Sequence, residues 1–245
     1  MPSPLKQYTK ELYSKFKYMA MWLPGKPISL GDIVVFDEGH YKRIGNIKDK
    51  GISFNIRHDK TASHVNYTSE GAVSVSFKAK GEPPPPMSQL AIAEAGFSVE
   101  MQKANATLFE ALDTLSPSIE NQIELGETIL ELYKNGKWEL SHYVVTEILE
   151  AKSATILISN GANARIELSA KSNISPGGIS IADVQAGLST GYFSNMHTRI
   201  IAEEGLTPLF KASNVKRRFG IGGPIFRSPE FEFSHLNPEE ITYDG

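Results

Sequence analysis

The sequence contains no cysteine in its 245 residues. That excludes disulfides, thiol nucleophiles, S-acylation and cysteine-based metal sites. No stretch approaches the ~18 consecutive apolar residues of a spanning helix. The opening Met1-Pro-Ser-Pro-Leu-Lys6 lacks the apolar core of a secretory signal, so a protein made and kept in the cytoplasm is expected. Positive charge is not in excess: 25 Lys and Arg stand against 28 Asp and Glu, for a net charge of −3. Nucleic acid is therefore not an expected partner. Catalytic signatures are missing as well. There is no His-Glu-x-x-His, no Gly-x-Ser-x-Gly and no Walker A lysine. Gly220-Ile-Gly-Gly223 lacks the strand before it and the helix after it that phosphate binding requires. Asp37-Glu38 and Glu203-Glu204 each lead into a glycine and read as turns. No catalytic, cofactor-binding or metal-binding residue is assigned, and an enzyme is not expected.

What the chain does have is a pair of alternating segments split by four prolines. In residues 73–80, Val73, Val75, Phe77 and Ala79 share one face, while Ser74, Ser76, Lys78 and Lys80 share the other. In residues 97–103, Phe97, Val99 and Met101 oppose Ser98, Glu100 and Gln102. Period-two alternation marks strands with one apolar and one polar face. A soluble half-buried sheet has that pattern, and so does a β-barrel that crosses a membrane. Pro83–Pro86 between them reads as a stiff spacer or as a ligand for proline-binding domains.

Elsewhere, Leu5, Tyr8, Leu12, Phe16 and Met19 recur at helical spacing, with Lys6, Lys10 and Lys17 off that stripe, which predicts a basic amphipathic helix over 5–19. Short strands are expected at 32–36 and 52–56, a polar loop at 57–70, and a short helix at 88–95. The segment 108–115 fits either a strand or a helix. Ser116-Pro117 predicts a helix start, with Ile119, Ile123, Leu130 and Tyr133 on its stripe and Gly136 after its end. A β-rich block follows at 138–150, then 153–159 and 164–170 around Asn160-Gly-Ala-Asn163, a hairpin signal. Loops are expected at 172–178 and 220–224. Strands are expected at 198–202 and 207–214 around a turn at Glu203-Glu-Gly205. Together these give an α+β fold, with a mixed, mostly antiparallel twisted central sheet and peripheral helices. A second basic cluster comprises Lys211, Lys216, Arg217 and Arg218. Beyond Arg227 the tail has no Lys or Arg but carries Glu230, Glu232, Glu239, Glu240 and Asp244. It could fold back on a basic surface or simply fray.

The order of these elements resembles the pore-forming domain of gasdermins, in particular the short prokaryotic members. The resemblance rests on the N-terminal basic helix, on the Val73-x-Val75 strand leading to Gly81, on His142-Tyr-Val-Val-Thr-Glu-Ile-Leu-Glu150 with the 153–170 stretch, and on 199–216 with its turn glycine. It implies a fold of the gasdermin N-domain type over 1–227 and an acidic inhibitory peptide over 228–245, with Phe231, Phe233, Leu236 and Ile241 as its apolar residues. On this resemblance an associated protease would remove the tail. The domain, a monomer at rest, would then oligomerise on anionic lipids of the inner membrane and extend two β-hairpins into a pore that kills an infected cell. The membrane-inserting residues would be Val73, Val75, Phe77, Ala79, Phe97, Val99 and Met101, with Lys78 and Lys80 toward the lumen. Lys6, Lys10, Lys17, Lys211, Lys216, Arg217 and Arg218 would meet the membrane surface. No cofactor is implied. The chain departs from the family in one respect, for it lacks the lipid-modified cysteine that many prokaryotic members carry near the N-terminus. The alternative is a soluble α+β interaction module that binds a partner through a sheet edge or Pro83–Pro86.

Overall fold

The computed structural model of the chain describes residues 3–84, 88–170, 181, 188–217 and 231–235; for Ala202, Arg217 and 231–235 it describes the backbone alone. Helix α1 (Pro4–Phe16) is followed by β1 (Met19–Ala20), β2 (Asp32–Asp37) and β3 (His40–Asn46). After a 3-10 turn come β4 (Ile56–Arg57), β5 (Ser63–Thr68), β6 (Val73–Lys78), β7 (Ala95–Met101), β8 (Thr107–Leu115) and β9 (Ser118–Ile119). Helix α2 (Gln122–Lys134) precedes β10 (His142–Ser159), β11 (Ala164–Ala170), β12 (Leu188–Ser194), β13 (Met196–Arg217) and β14 (Phe231–His235). The class is α+β with antiparallel pairing, as the alternation indicates.

The chain divides into two compact units built from interleaved segments. The first comprises Met1–Lys17, Thr61–Leu115 and Glu150–Leu206; the second comprises Tyr18–Lys60, Ser116–Leu149 and Thr207–Gly245. In the first, residues 150–158 of β10 pair with β8, which pairs with β5 on its other side. A separate four-stranded sheet has the order β12-β11-β7-β6. Its apolar residues Phe97, Val99, Met101, Ile166 and Leu168 share one core with Leu108 of β8 and Leu157 of β10. Full burial of each such side chain contributes about 1.5–3 kcal/mol. Helix α1 belongs to this unit. Ser3 caps it by accepting the Lys6 N–H at 3.2 Å, and Tyr8 and Leu12 are fully buried. Phe16 meets the rings of Tyr67 and Phe109 at 6.4 and 6.2 Å. The apolar stripe thus packs on the protein. The helix stops short of residue 19 because Lys17 turns left-handed (φ 61°) and Met19 enters β1.

The second unit centres on β1-β13-β10-β2-β3, with Val34, Val144, Val145 and Phe210 packed beside Leu125 and Ile129 of α2. Several expectations change here. Helix α2 starts at Gln122, not at Pro117, because Ser118–Ile119 is taken up as β9 between β4 and β10 and Pro117 accepts the Ile148 N–H. Ile123, placed on the stripe by its spacing, is 84% exposed. Gly136 closes the helix in the left-handed region (φ 69°). The strand expected at 52–56 contracts to β4, and the strand expected at 32–36 is β2.

In the first unit, the polar 57–70 segment contains β5, an edge strand whose alternate residues Val65 and Tyr67 turn half-inward. Residues 88–94 form no helix; they include a turn at Ala91–Glu94 and lead straight into β7. The ambiguous 108–115 is strand β8. Asn160–Asn163 does not close a two-stranded hairpin: β10 pairs with β8, whereas β11 pairs with β7 and β12 in the other sheet. Glu203-Glu-Gly205 does not separate two strands, since β13 continues through it, with Gly205 in the left-handed region at φ 67°. The loops expected at 172–178 and 220–224 lie outside the described residues.

One backbone contact fixes the four-stranded sheet. A Cβ on Gly96 would lie 2.2 Å from the Leu168 carbonyl oxygen, closer than any side chain permits. Gly96→Ala is expected to force β7 and β11 apart and to cost about 2–3 kcal/mol, read as a lowered midpoint in urea unfolding; an unchanged midpoint would refute the close approach.

Candidate functional site

The two segments that stood out in the sequence are neighbours. β6 and β7 pair antiparallel with Val73↔Met101, Val75↔Val99 and Phe77↔Phe97 in register, so both apolar sets fall on one face. β11 joins β7 with Ile166↔Val99 and Leu168↔Phe97, and β12 joins β11 with Ile166↔Phe193. One cross-strand row therefore reads Val75–Val99–Ile166–Phe193. Its two central members are fully buried, while its ends, Val75 at 44% and Phe193 at 46% exposure, sit on β6 and β12, the two edge strands of the sheet among the described residues. Ala79, expected to extend the apolar face, lies beyond the end of β6 in a turn.

The sheet consists of two hairpin-like pairs side by side. Lys78↔Gly96 ends the β6–β7 ladder, and Ala170↔Leu188 ends the β11–β12 ladder. Ala170 is also opposite Ala95. Both connecting segments, 79–94 and 171–187, therefore leave the sheet at the same end. β12 was missed in the sequence because a bulge at Gly191, between Glu167↔Tyr192 and Leu168↔Thr190, shifts its alternation by one.

The second face carries the polar residues Ser74, Ser76, Lys78, Ser98, Glu100, Arg165, Glu167 and Ser169, and it is not simply wet. Glu167 is 1% exposed. Its carboxylate accepts from the Arg165 guanidinium at 2.9 Å and from the Ser88 hydroxyl at 2.7 Å. Arg165 also reaches Ser98 at 3.3 Å and Glu100 at 3.8 Å. Lys78, expected on the solvated side with Lys80, is likewise 1% exposed. Its ammonium donates to the carbonyls of Glu94 (2.5 Å), Ala91 (2.8 Å), Ile92 (3.3 Å) and Ala79 (3.5 Å). Lys80 is exposed as expected. Neither buried group could be recognised from periodicity, which places a residue on a face without saying what covers that face.

The basic residues divide into two sets. Lys6, Lys10, Lys15 and Lys17 of α1 and its cap are exposed, and Lys6, Lys10 and Lys15 border an open cleft of about 830 Å³ beside Tyr67 and Glu70. In the second unit, Lys211 pairs with Glu147 at 2.9 Å and its ammonium lies 4.4 Å from the centre of the Tyr18 ring. Tyr18 donates its hydroxyl to Glu147, and burial together with that carboxylate pushes the phenol well above its ordinary value. Lys211 is thus engaged in a local network. Lys216 is half-buried on β13; Arg217 ends β13; Arg218 lies outside the described residues.

Of the tail, Phe231 and Phe233 fall on β14, and Leu236 and Ile241 lie outside the described residues. β14 pairs antiparallel with the end of β13, from Ser213↔His235 to Arg217↔Phe231, and the register sets Glu232 opposite Lys216. Among the described residues no three His, Asp or Glu side chains gather as a metal would require, and no helix is long and apolar enough to cross a membrane.

Removing the buried cation from the polar face is expected to be severe. Arg165→Met leaves Glu167 buried without its cation and should lower stability by about 3–5 kcal/mol, whereas the double variant with Glu167→Leu should recover much of that loss. Thermal and urea unfolding of the three proteins measures both, and an Arg165→Met protein as stable as the parent would show the pair to be dispensable.

No protein-family model matches the chain, and no curated protein matches it. Among solved structures, that of a bacterial gasdermin from Bradyrhizobium tropiciagri is similar over 88% of each chain, with 13% identity and a TM-score of 0.36. It comes from the family that the order of the sequence elements resembles. A likeness at this TM-score carries no functional argument, and the functional reading rests on the four-stranded sheet itself.

Proposed function

We propose that the chain is the resting form of a pore-forming protein whose four-stranded β12-β11-β7-β6 sheet becomes its membrane wall. The observation that carries this is the arrangement of the sheet: two paired hairpins, one apolar face, one polar face, and both tips leaving at one end. A membrane β-strand needs ~9–11 residues, whereas β6 and β7 have 6 and 7. The hairpins must therefore lengthen at their tips to span.

In lipid an unpaired strand edge is not tolerated, so the two free edges require a partner. β6 and β12 run antiparallel to one another across the sheet. The β6 edge of one copy can therefore continue the antiparallel order onto the β12 edge of the next. Such a contact is heterologous and closes as a ring. It would bring together the exposed ends of the apolar row, Val75 and Phe193. The lysines on α1 supply a surface for anionic lipid headgroups.

The tail fits an inhibitory role. β14 covers the edge of β13 over 213–217, and proteolysis after about Arg227 would strip it. The sequence resemblance to prokaryotic gasdermins supports the remaining parts of the reading: a monomer at rest in the cytoplasm, an associated protease, an inner-membrane target and death of an infected cell as antiphage defence. No enzymatic chemistry enters.

The test is dye release from vesicles of phosphatidylcholine and phosphatidylglycerol. Protein trimmed after Arg227 should cause leakage and the full chain should not; no leakage at any trimming point would leave a soluble sheet-edge interaction module as the better reading. Val75→Asp gives a clean second arm. Because Val75 is 44% exposed at rest, the change should alter resting stability by no more than about 0.5 kcal/mol. On a lipid-facing strand a midplane charge is costly, an aspartate by less than the about 2–4 kcal/mol of a lysine or arginine. The cost recurs in every copy of the ring, so leakage should be lost while the melting temperature holds.

A further inference from the structure

The Lys78 site is unusual in its chemistry. A fully buried ammonium is ordinarily paired with a carboxylate. Among the described residues none lies within ion-pair distance of Lys78; its three N–H groups are shared among four backbone carbonyls. Those carbonyls belong to two turns, one on each leg leaving the β6–β7 ladder. In the first, Glu82 N–H donates to Ala79 carbonyl, and the Glu82 carboxylate accepts from Ala79 N–H at 3.1 Å. In the second, Glu94 N–H donates to Ala91 carbonyl, and the Glu94 carboxylate accepts from Ala91 N–H at 3.0 Å. The turns touch through Gly81 N–H and Ile92 carbonyl. That contact is off the ladder by one residue. Every β6–β7 pair from Val73↔Met101 to Lys78↔Gly96 keeps one register, and its continuation would set Lys80 opposite Glu94 and Glu82 opposite Ile92.

We infer that Lys78 is a latch. Its ammonium gathers the carbonyls of both turns and so holds the two legs of the connection out of the ladder. Release of the ammonium frees Ala91, Ile92 and Glu94 carbonyls for strand pairing, lets β6 and β7 lengthen in their existing register, and moves Lys78 onto the open polar face. In the lengthened hairpin Lys80 and Glu94 stand directly opposite, a favourable cross-strand pair. The latch rests on the pore reading for its purpose, but its structural part is tested without any membrane.

In the full-length wild-type protein, the Lys78 Nζ protons should exchange slowly enough to give a resolved ¹⁵N-ammonium signal, assigned by its disappearance in Lys78→Arg. If every lysine ammonium exchanges at the solvent rate, the latch is overturned. In Lys78→Met, amides at 79–82 and 91–94 should exchange about tenfold faster or more while β8 and β10 stay protected; unchanged protection at those two turns overturns the latch whatever vesicles do. Should that variant lose protection throughout, the wild-type ammonium signal decides. Trimmed Lys78→Met should also leak vesicles faster than the trimmed parent. Loosened turns with no leakage from either protein would sink the pore reading and leave Lys78 as a holder of two turns.

Discussion

In water, a small sheet with two unlike faces must have its apolar face covered, and in the first unit part of the polar face is covered as well. The apolar face is closed by ordinary packing: Phe97, Val99, Ile166 and Leu168 lie against Leu108 and Leu157. Such cover is non-directional and scales with area. The polar face is closed differently. Glu167 and Lys78 lie almost fully buried on it. Each is satisfied by groups from the 79–94 connection or its own strand, Glu167 by Ser88 and Arg165, Lys78 by backbone carbonyls. A buried ion is tolerated only while its partners stay in place. The two covers therefore respond differently to disturbance. The apolar one degrades gradually, and the polar one holds or fails as a set.

Much of this was legible in the sequence, and the parts that were not share a cause. Alternation placed β6 and β7 and assigned their faces, because period two is a property of the strand alone. It could not say that β7 and β11 are central and β6 and β12 are edges, since edge position depends on pairing partners far along the chain. β12 stayed hidden because the bulge at Gly191 breaks its period. β5 stayed hidden because an edge strand can afford polar residues at most of its positions. The start of α2 was misplaced for a related reason. Ser116-Pro117 is a sound local cap signal, but the ladder claims Ser118 and Ile119 first. At Glu203-Glu-Gly205, three turn-forming residues do not end the strand, for β13 continues through them to its pairing with β1 and β14. The buried state of Lys78 has no sequence signal at all, for a lysine on the polar side of an alternating strand normally reads as solvated.

Charge in the molecule is distributed by role more than by quantity. The α1 lysines remain at the surface, whereas Lys211 is drawn into the Tyr18–Glu147 network. The second basic cluster is therefore less available than its composition suggests. Of its other members on β13, Lys216 stands in register with Glu232 of β14 and Arg217 with Phe231. An acidic tail and a basic strand end thus meet through backbone pairing, which gives the tail a defined seat. Edge pairing also suits a removable segment. It covers an edge through main-chain hydrogen bonds, so loss of β14 would expose the end of β13.

The same register arithmetic describes the lumen that the proposed pore would have. Continuing the ladder past Lys78↔Gly96 keeps Lys78 and Lys80 on the polar face with Glu94. Glu100, Arg165 and Glu167 already occupy that face. Among the described residues, three cations (Lys78, Lys80, Arg165) and four anions (Glu82, Glu94, Glu100, Glu167) would then line the wall of each copy, and most lie opposite or beside a charge of the other sign. That pairing also bears on the resting protein. The groups that must be buried and paired when the sheet is folded in water are the same groups that water would solvate once the sheet became a wall. In the proposed transition the polar face would lose its protein partners and gain solvent, while the apolar face would exchange Leu108 and Leu157 for lipid. Neither face would be left without an environment that satisfies it, so one alternating sequence could serve both states.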